Sequence, residues 1–415
     1  MTRKFAPPRT EPKLTDRSAL DSTTDLLTEQ FALTADGYIC ETADVWQVVV
    51  AAAARRSTIE ATSHHLAQAP DSNTIRSYLN GAFTTAEIPA LQTASNAALA
   101  SQIPIWLTTR AQEIACDLHD EPYYGKVQPV DPEHPEADPD YWICRGEARA
   151  GTTYFYRCAS AYVMRRGVRL TLAVNFVHPG ETLADVLKWL LKRVTALHLT
   201  LRRLFLDKGF CSIPVIRDCL MQVFPKLPVI LACPIRGKRE GRGTRALCQG
   251  RRSYRTTHTF VNAEYGELTV SLGVVKTFSK RRNGTRNVVW LIYVLLNLPD
   301  EPLRNVRKLY RRRFGIESSY RLLEQVRIRT SSNNPAVRFL YMAVALLLAS
   351  IWIALHWIYL RVRGSGPRRV ASQYFRLDGL RSFLLHAVES IYGVVTVLEP
   401  PSIVKPVNLY TESAF

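Results

Sequence analysis

No CxxC pair occurs in the chain, although it holds eight cysteines. No Cys/His spacing fits a zinc site either. Cys40, Cys116, Cys144, Cys158, Cys211, Cys219, Cys233 and Cys248 mostly sit in apolar runs, so buried free thiols in a reducing compartment are expected. The opening stretch, MTRKFAPPRTEPKLTDRS, has no apolar segment. Residues 1–25 therefore read as a disordered basic arm rather than a signal peptide. Internal repeats are absent. Acid is scarce: 36 Asp and Glu stand against 54 Lys and Arg, a formal net charge of +18. The shortage is sharpest over 235–255, where Glu240 is the one acid among many arginines and lysines. Acids collect instead at 131–140, DPEHPEADPD. This balance points to a polyanion, nucleic acid first and an anionic membrane surface second.

A hydrophobic content of 47% over 415 residues excludes global disorder and supports a sizeable core in two or three domains. The run 337–362, VRFLYMAVALLLASIWIALHWIYLRV, is long and apolar enough to span a bilayer. His356, the single span and the patterns elsewhere favour a buried core helix. No membrane partner is expected, and the expected location is cytoplasmic, with the nucleoid.

Residues 26–104 read as a helical domain. Thr42 or Asp44 caps a helix through Val45–Ala54, a second follows to about His65, and the Pro70–Asn73 turn starts a short helix over Thr74–Leu79. A DNA-reading helix-turn-helix and a plain helical bundle both fit this pattern. Residues 105–234 alternate between strands and helices. Glu113–Cys116 leads into Asp117. Strands at about 151–163 and 167–177 meet at a tight Arg165-Arg166-Gly167 turn. An amphipathic helix follows Gly180, with Leu183, Val186, Leu187, Leu190 and Val194 inward. Then come a strand at 203–206, a helix from about 211 and a strand at Val229–Cys233. The order predicts an α/β fold of RNase H-like type, a mixed sheet flanked by helices. Residues 235–300 read as a β-rich insertion with strands at 254–261, 265–277 and 287–297 and a turn at Asn283-Gly284. Residues 301–363 return to the core, and 364–415 form a C-terminal region.

Two segments carry the chemistry. In LRRLFLDKGF, residues 201–210, an apolar run ends in Asp207 before a Lys-Gly turn, which places Asp207 at a strand tip where α/β proteins keep functional groups. In Tyr310-Arg-Arg-Arg-Phe-Gly-Ile-Glu317, helical spacing aligns Tyr310, Arg313 and Glu317, and Arg321 and Glu324 continue the stripe. An Asp before Lys-Gly is often only a turn former, and Glu317 on an exposed helix is often only a salt-bridge partner. Asp117 completes a set of three acids; Asp120 is its rival. His119, beside Asp117, reads either as a neighbour of the site or as a surface histidine, with the surface favoured. Lys126, Lys208, Arg236, Lys238, Arg239 and Arg242 are candidates for phosphate contacts, which give affinity without reading sequence.

Asp-Lys-Gly-Phe after a strand, followed later by Y-x-x-R-x-x-x-E, resembles the DDE transposases of prokaryotic insertion sequences, in the branch with a β-strand insertion before the Glu. The resemblance spans roughly residues 105–360 in order and spacing. It implies that Asp117, Asp207 and Glu317 hold Mg²⁺ or Mn²⁺, two ions, for phosphoryl transfer on double-stranded DNA. It also implies that Tyr310 hydrogen-bonds a phosphate or simply packs, that Arg313 contacts a phosphate or orients Glu317, and that the protein works as a homodimer. The family signature ends in a Lys seven residues after the Glu; Glu324 stands there, and Arg321 or Arg327 is the candidate substitute. A nuclease without strand transfer and an inactive DNA-binding descendant are the alternatives.

Overall fold

A computed structural model describes residues 13–397 apart from 39, 166–169, 281–285, 315–319, 363–368 and 371. Its centre is a nine-stranded sheet built from β1 (Gln112–Tyr123), β2 (Ile143–Arg149), β3 (Thr152–Val163), β4 (Thr171–Val177), β5 (Leu201–Leu206), β6 (Val229–Cys233), β7 (Tyr254–Asn262), β8 (Gly266–Lys280) and β9 (Arg286–Leu296). The path runs β2-β3-β1-β5-β6-β9-β8-β7, and β4 pairs with β3. The β1–β5 and β5–β6 pairs are parallel; the rest are antiparallel. β2 and β4 follow one another along the outer edge of β3, opposite Thr152–Tyr156 and Arg157–Tyr162. The α/β, RNase H-like expectation is met: a mixed sheet carries helices on its faces, with a helical region at the N-terminus.

Side-chain alternation divides the sheet. Ile114, Cys116, Leu204, Leu206, Val229 and Leu231 form one apolar face with α6 (Leu183–Ala196). Thr182 caps α6 by accepting from the Asp185 amide, and Val186, Leu187, Leu190, Leu191 and Val194 make its buried stripe. Ala115, Phe205, Ile230, Tyr293 and Leu295 face the other way, against Val306 and Tyr310 of α7 (Leu303–Tyr310). β4 is buried along its whole length because helices pack on both of its sides.

A helical layer joins the two chain ends. It holds α1 (Asp16–Gln30), α2 (Thr42–Arg55), α3 (Ile59–Ser63), α4 (Ser72–Ala82), α5 (Ile88–Ser101), α8 (Pro335–Tyr359) and α9 (Leu377–Tyr392), with one shared apolar cluster. Trp46 of α2 is fully buried beside Phe31 and Phe83. From the far end of the chain, Tyr392 donates to Asp44 and lies 2.7 Å from Gln47, and His65 meets Glu389 at 2.7 Å.

One boundary expectation is revised. Residues 16–25, assigned to a disordered arm, form the capped first turns of α1, with Ala19 and Leu20 buried. The described part of the C-terminal region packs on α1 and α2. In the β-rich insertion, β9 pairs with β6 from Val229↔Leu296 to Cys233↔Ile292 and so extends the central sheet. The two predicted tight turns fall in part or wholly outside the described residues.

The apolar run forms α8. Asn334 caps it, accepting from the amides of Ala336 and Val337, and Pro335 opens its first turn. It is the one described helix long and apolar enough to cross a membrane, yet its most apolar window is 83% buried inside the fold.

Candidate active site

Parallel pairing of Cys116 with Leu206 sets Asp117 and Asp207 side by side. Both continue the face of Ala115 and Phe205. Asp207 follows the last residue of β5, where the Lys208–Phe210 turn opens. Asp117 is a mid-strand residue, not a strand end as the apolar run suggested, since β1 continues to Tyr123. The chain returns to this edge at the end of α7. Arg313, in the tight turn Arg311–Phe314, has Nη2 3.3 Å from Asp117 Oδ2 and 3.5 Å from Asp207 Oδ1. One guanidinium nitrogen thus touches both carboxylates. The side chains are 7% exposed for Arg313, 18% for Asp117 and 37% for Asp207, so the pair opens to solvent on the Asp207 side.

Of the two roles expected for Tyr310, a phosphate contact or packing, the structure shows packing: its hydroxyl is buried, donating to Leu206 O at 3.3 Å and Asp207 Oδ1 at 3.4 Å. Burial pushes this hydroxyl above its ordinary titration range, so it stays a donor. The single long helical face predicted for 310–324 is interrupted: α7 ends at Tyr310, a tighter turn follows, and the helix is again described from 320 to 323. Glu317 lies outside the described residues. Among the described residues no group of three or more His, Cys, Asp or Glu converges as a metal site.

The same face of β1 carries two further acids, each four residues from Asp117. Glu113 accepts from Arg203 at 3.0 Å and Arg312 at 3.2 Å, and Arg203 also holds Glu301 at 3.1 Å. Glu121 accepts from Arg338 of α8 at 2.8 Å and from Arg327, which also holds Glu324 at 3.0 Å. Arg327 is therefore engaged within the fold, and the acid at the signature lysine's position is its exposed partner. Asp120 projects from the opposite face, held by Arg157 at 2.7 Å. His119, expected at the surface, stacks on Tyr320 with ring centres 4.8 Å apart, and burial lowers its pKa. None of Glu113, Glu121, Ser160 and Tyr320 was singled out from sequence; parity with Asp117 along a longer β1 was the available signal for the two glutamates.

The basic candidates Lys126, Lys208, Arg236, Lys238, Arg239, Arg242 and Arg321 are all exposed. Four of them ride on a built loop. The Thr244 hydroxyl accepts from the Arg236 amide and donates to Pro234 O, and the Arg245 amide donates to Arg236 O. Gly243 is required there, because a Cβ would sit 2.5 Å from Arg236 O.

A family model described as the transposase DDE domain matches residues 139–351, just over half the chain. The match takes in Asp207, Arg313 and Glu317 and begins after Asp117. No curated protein matches. Among solved structures, a piggyBac transposase synaptic complex with hairpin DNA is similar at 11% identity and a TM-score of 0.49, over 90% of this chain and 77% of that one. Because the family model covers just over half of the chain, from residue 139 to 351, the chain belongs to the transposase DDE domain family.

Proposed function

We propose that the chain is a DNA transposase that cleaves the ends of its element to expose 3′-hydroxyls and joins them to target DNA. The observation that carries this reading is the pair Asp117 and Asp207, brought together by adjacent parallel strands and sharing Arg313. Among the described residues the candidate ligands there are the Asp117 and Asp207 carboxylates, oxygen donors suited to Mg²⁺ or Mn²⁺ rather than to soft metals. Asp117, Asp207 and Glu317 would hold two such ions. When bound, the ions supply Lewis-acid activation of the attacking water or hydroxyl and neutralise charge at the phosphate.

Glu317 is supported as the third ligand by what flanks it. Arg313, four residues earlier, touches Asp117, and Tyr320, three residues later, donates to Asp117 O at 3.4 Å. Three residues reach at most about 11 Å. The chain's own groups then divide the work. Tyr310 fixes the Asp207 carboxylate through its hydroxyl. Arg313 keeps the two aspartates together and is the nearest cation to a phosphate entering beside them. The exposed arginines and lysines of 236–242, with Lys126, Lys208 and Arg321, hold the DNA backbone. Both chemical steps are in-line displacements at phosphorus, and no covalent protein intermediate is needed. A homodimer on paired ends and a cytoplasmic, nucleoid-associated location complete the proposal.

The test is cleavage and joining of a labelled duplex bearing the element's terminal sequence, with Mg²⁺ or Mn²⁺, by wild type and Glu317→Gln. Joined product from wild type alone supports the reading. Nicking without joining supports a nuclease, and binding without cleavage supports an inactive DNA-binding descendant.

A further inference from the structure

Ser160 of β3 stands directly opposite Asp117 in the antiparallel β1–β3 ladder, so both side chains rise from the same face. Over this pair lies Tyr320. Its hydroxyl is 2.8 Å from Ser160 Oγ and 3.4 Å from Asp117 O. Since the carbonyl can only accept, Tyr320 donates to Asp117 and the serine hydroxyl donates to Tyr320. The ring also stacks nearly parallel on His119, at 14° between planes. Burial pushes the Tyr320 hydroxyl far above its ordinary range; it remains a donor wherever the protein is folded.

A phenylalanine at 320 would pack and stack equally well. The hydroxyl is therefore the specific element, and its two contacts both fall at the level of Asp117. The neighbouring acids of this face have side-chain anchors of their own, two arginines each. Asp117, whose carboxylate meets Arg313, is held at its backbone as well by this polar contact.

We propose that Tyr320 is a positioning residue: through Ser160 and the Asp117 carbonyl it fixes the twist of β1 at Asp117, and so sets the carboxylate for metal binding beside Asp207. The proposal rests on the metal-dependent reading above. Groups one step removed from metal ligands typically change metal affinity by about 10–100-fold when altered.

The experiment is Mn²⁺ titration of the DNA-free protein by electron paramagnetic resonance, with thermal melts alongside, for wild type, Tyr320→Phe, Ser160→Ala and the double variant. Tyr320→Phe keeps the ring and its stack, so it separates the hydroxyl from folding. The expected result is Mn²⁺ affinity weakened about 10–100-fold in Tyr320→Phe at an unchanged melting temperature. Ser160→Ala shifts in the same direction, and the double variant is no worse than the larger single. The cleavage assay should show a raised half-saturating Mn²⁺ concentration with KM for DNA unchanged. Equal Mn²⁺ affinity in wild type and Tyr320→Phe, with Asp207→Asn abolishing it in both, overturns the positioning role and leaves the functional reading intact. Wild-type binding that Asp207→Asn does not reduce overturns both.

Discussion

Glu113 and Glu121 stand four residues to either side of Asp117 on one face of β1, and each is closed in by two arginines drawn from distant parts of the chain. Asp117 shares the Arg313 guanidinium with Asp207, whose side chain is 37% exposed. The flanking carboxylates are only about a tenth exposed. Acids of like chemistry on one strand thus meet opposite surroundings. At the ends of the face, desolvation is offset by matched cations, and the pairs tie β1 to α8, to the Arg311–Phe314 turn and to β5. In the middle, two carboxylates are held close and left open on one side. The first arrangement locks a fold; the second leaves open the edge where a cation is proposed to bind.

The contrast would be broken most severely by Asp207→Asn. Metal-dependent cleavage should fall by about 10²–10³-fold, the usual loss when one preorganised electrostatic group goes, while thermal stability holds. Glu121→Gln should do the reverse. Removing one partner of a buried ion pair costs about 3–5 kcal/mol, which urea denaturation would register, and cleavage per folded molecule should survive.

Arg313→Ala sharpens the comparison. In metal-free buffer it leaves Asp117 and Asp207 without their shared cation, at a cost of about 1–3 kcal/mol before discounting for the solvent screening of Asp207. Mg²⁺ should restore more stability to this variant than to wild type. A calorimetric scan with and without Mg²⁺ reads the difference.

Far from the face, replacing Arg236, Lys238, Arg239 and Arg242 by alanine should weaken DNA binding irrespective of sequence. The salt dependence should become shallower by about 0.9 per lost phosphate contact in a log–log plot. The smallest effect concerns His356, buried in α8 with Nε2 2.5 Å from Phe375 O. Burial holds its pKa below the ordinary 6.5. The unfolded chain therefore takes up the proton first, and stability present above about pH 6.5 is lost as pH falls. Wild type should lose at most about 1.4 kcal/mol per pH unit from this group, and His356→Gln should flatten that slope in denaturation curves taken between about pH 7 and 5.

Much of the frame was legible because its signals are local. Val229–Cys233, the inward stripe of α6 and the tip position of Asp207 each follow from a short apolar run and its neighbours. β2, with the sequence ICRGEAR and half its residues exposed, offers no such alternation. The second half of β1 was hidden for another reason. Its LHDEPY residues look like the start of a loop until Arg157, Arg327, Arg338 and Tyr320 arrive from elsewhere to satisfy them. The polar stripe from Tyr310 onward showed that the segment met something charged, but not that Tyr310 would be spent on holding Asp207. The packing of α9 on α1 and α2 joins residues more than three hundred positions apart, which no local pattern encodes.

The most direct measurement is Mn²⁺-dependent cleavage of a labelled terminal duplex by wild type, Asp207→Asn and Glu121→Gln, each normalised to its folded fraction. The account predicts that Asp207→Asn falls to background while Glu121→Gln cleaves as wild type does. Cleavage retained by Asp207→Asn, or lost in folded Glu121→Gln, would contradict it.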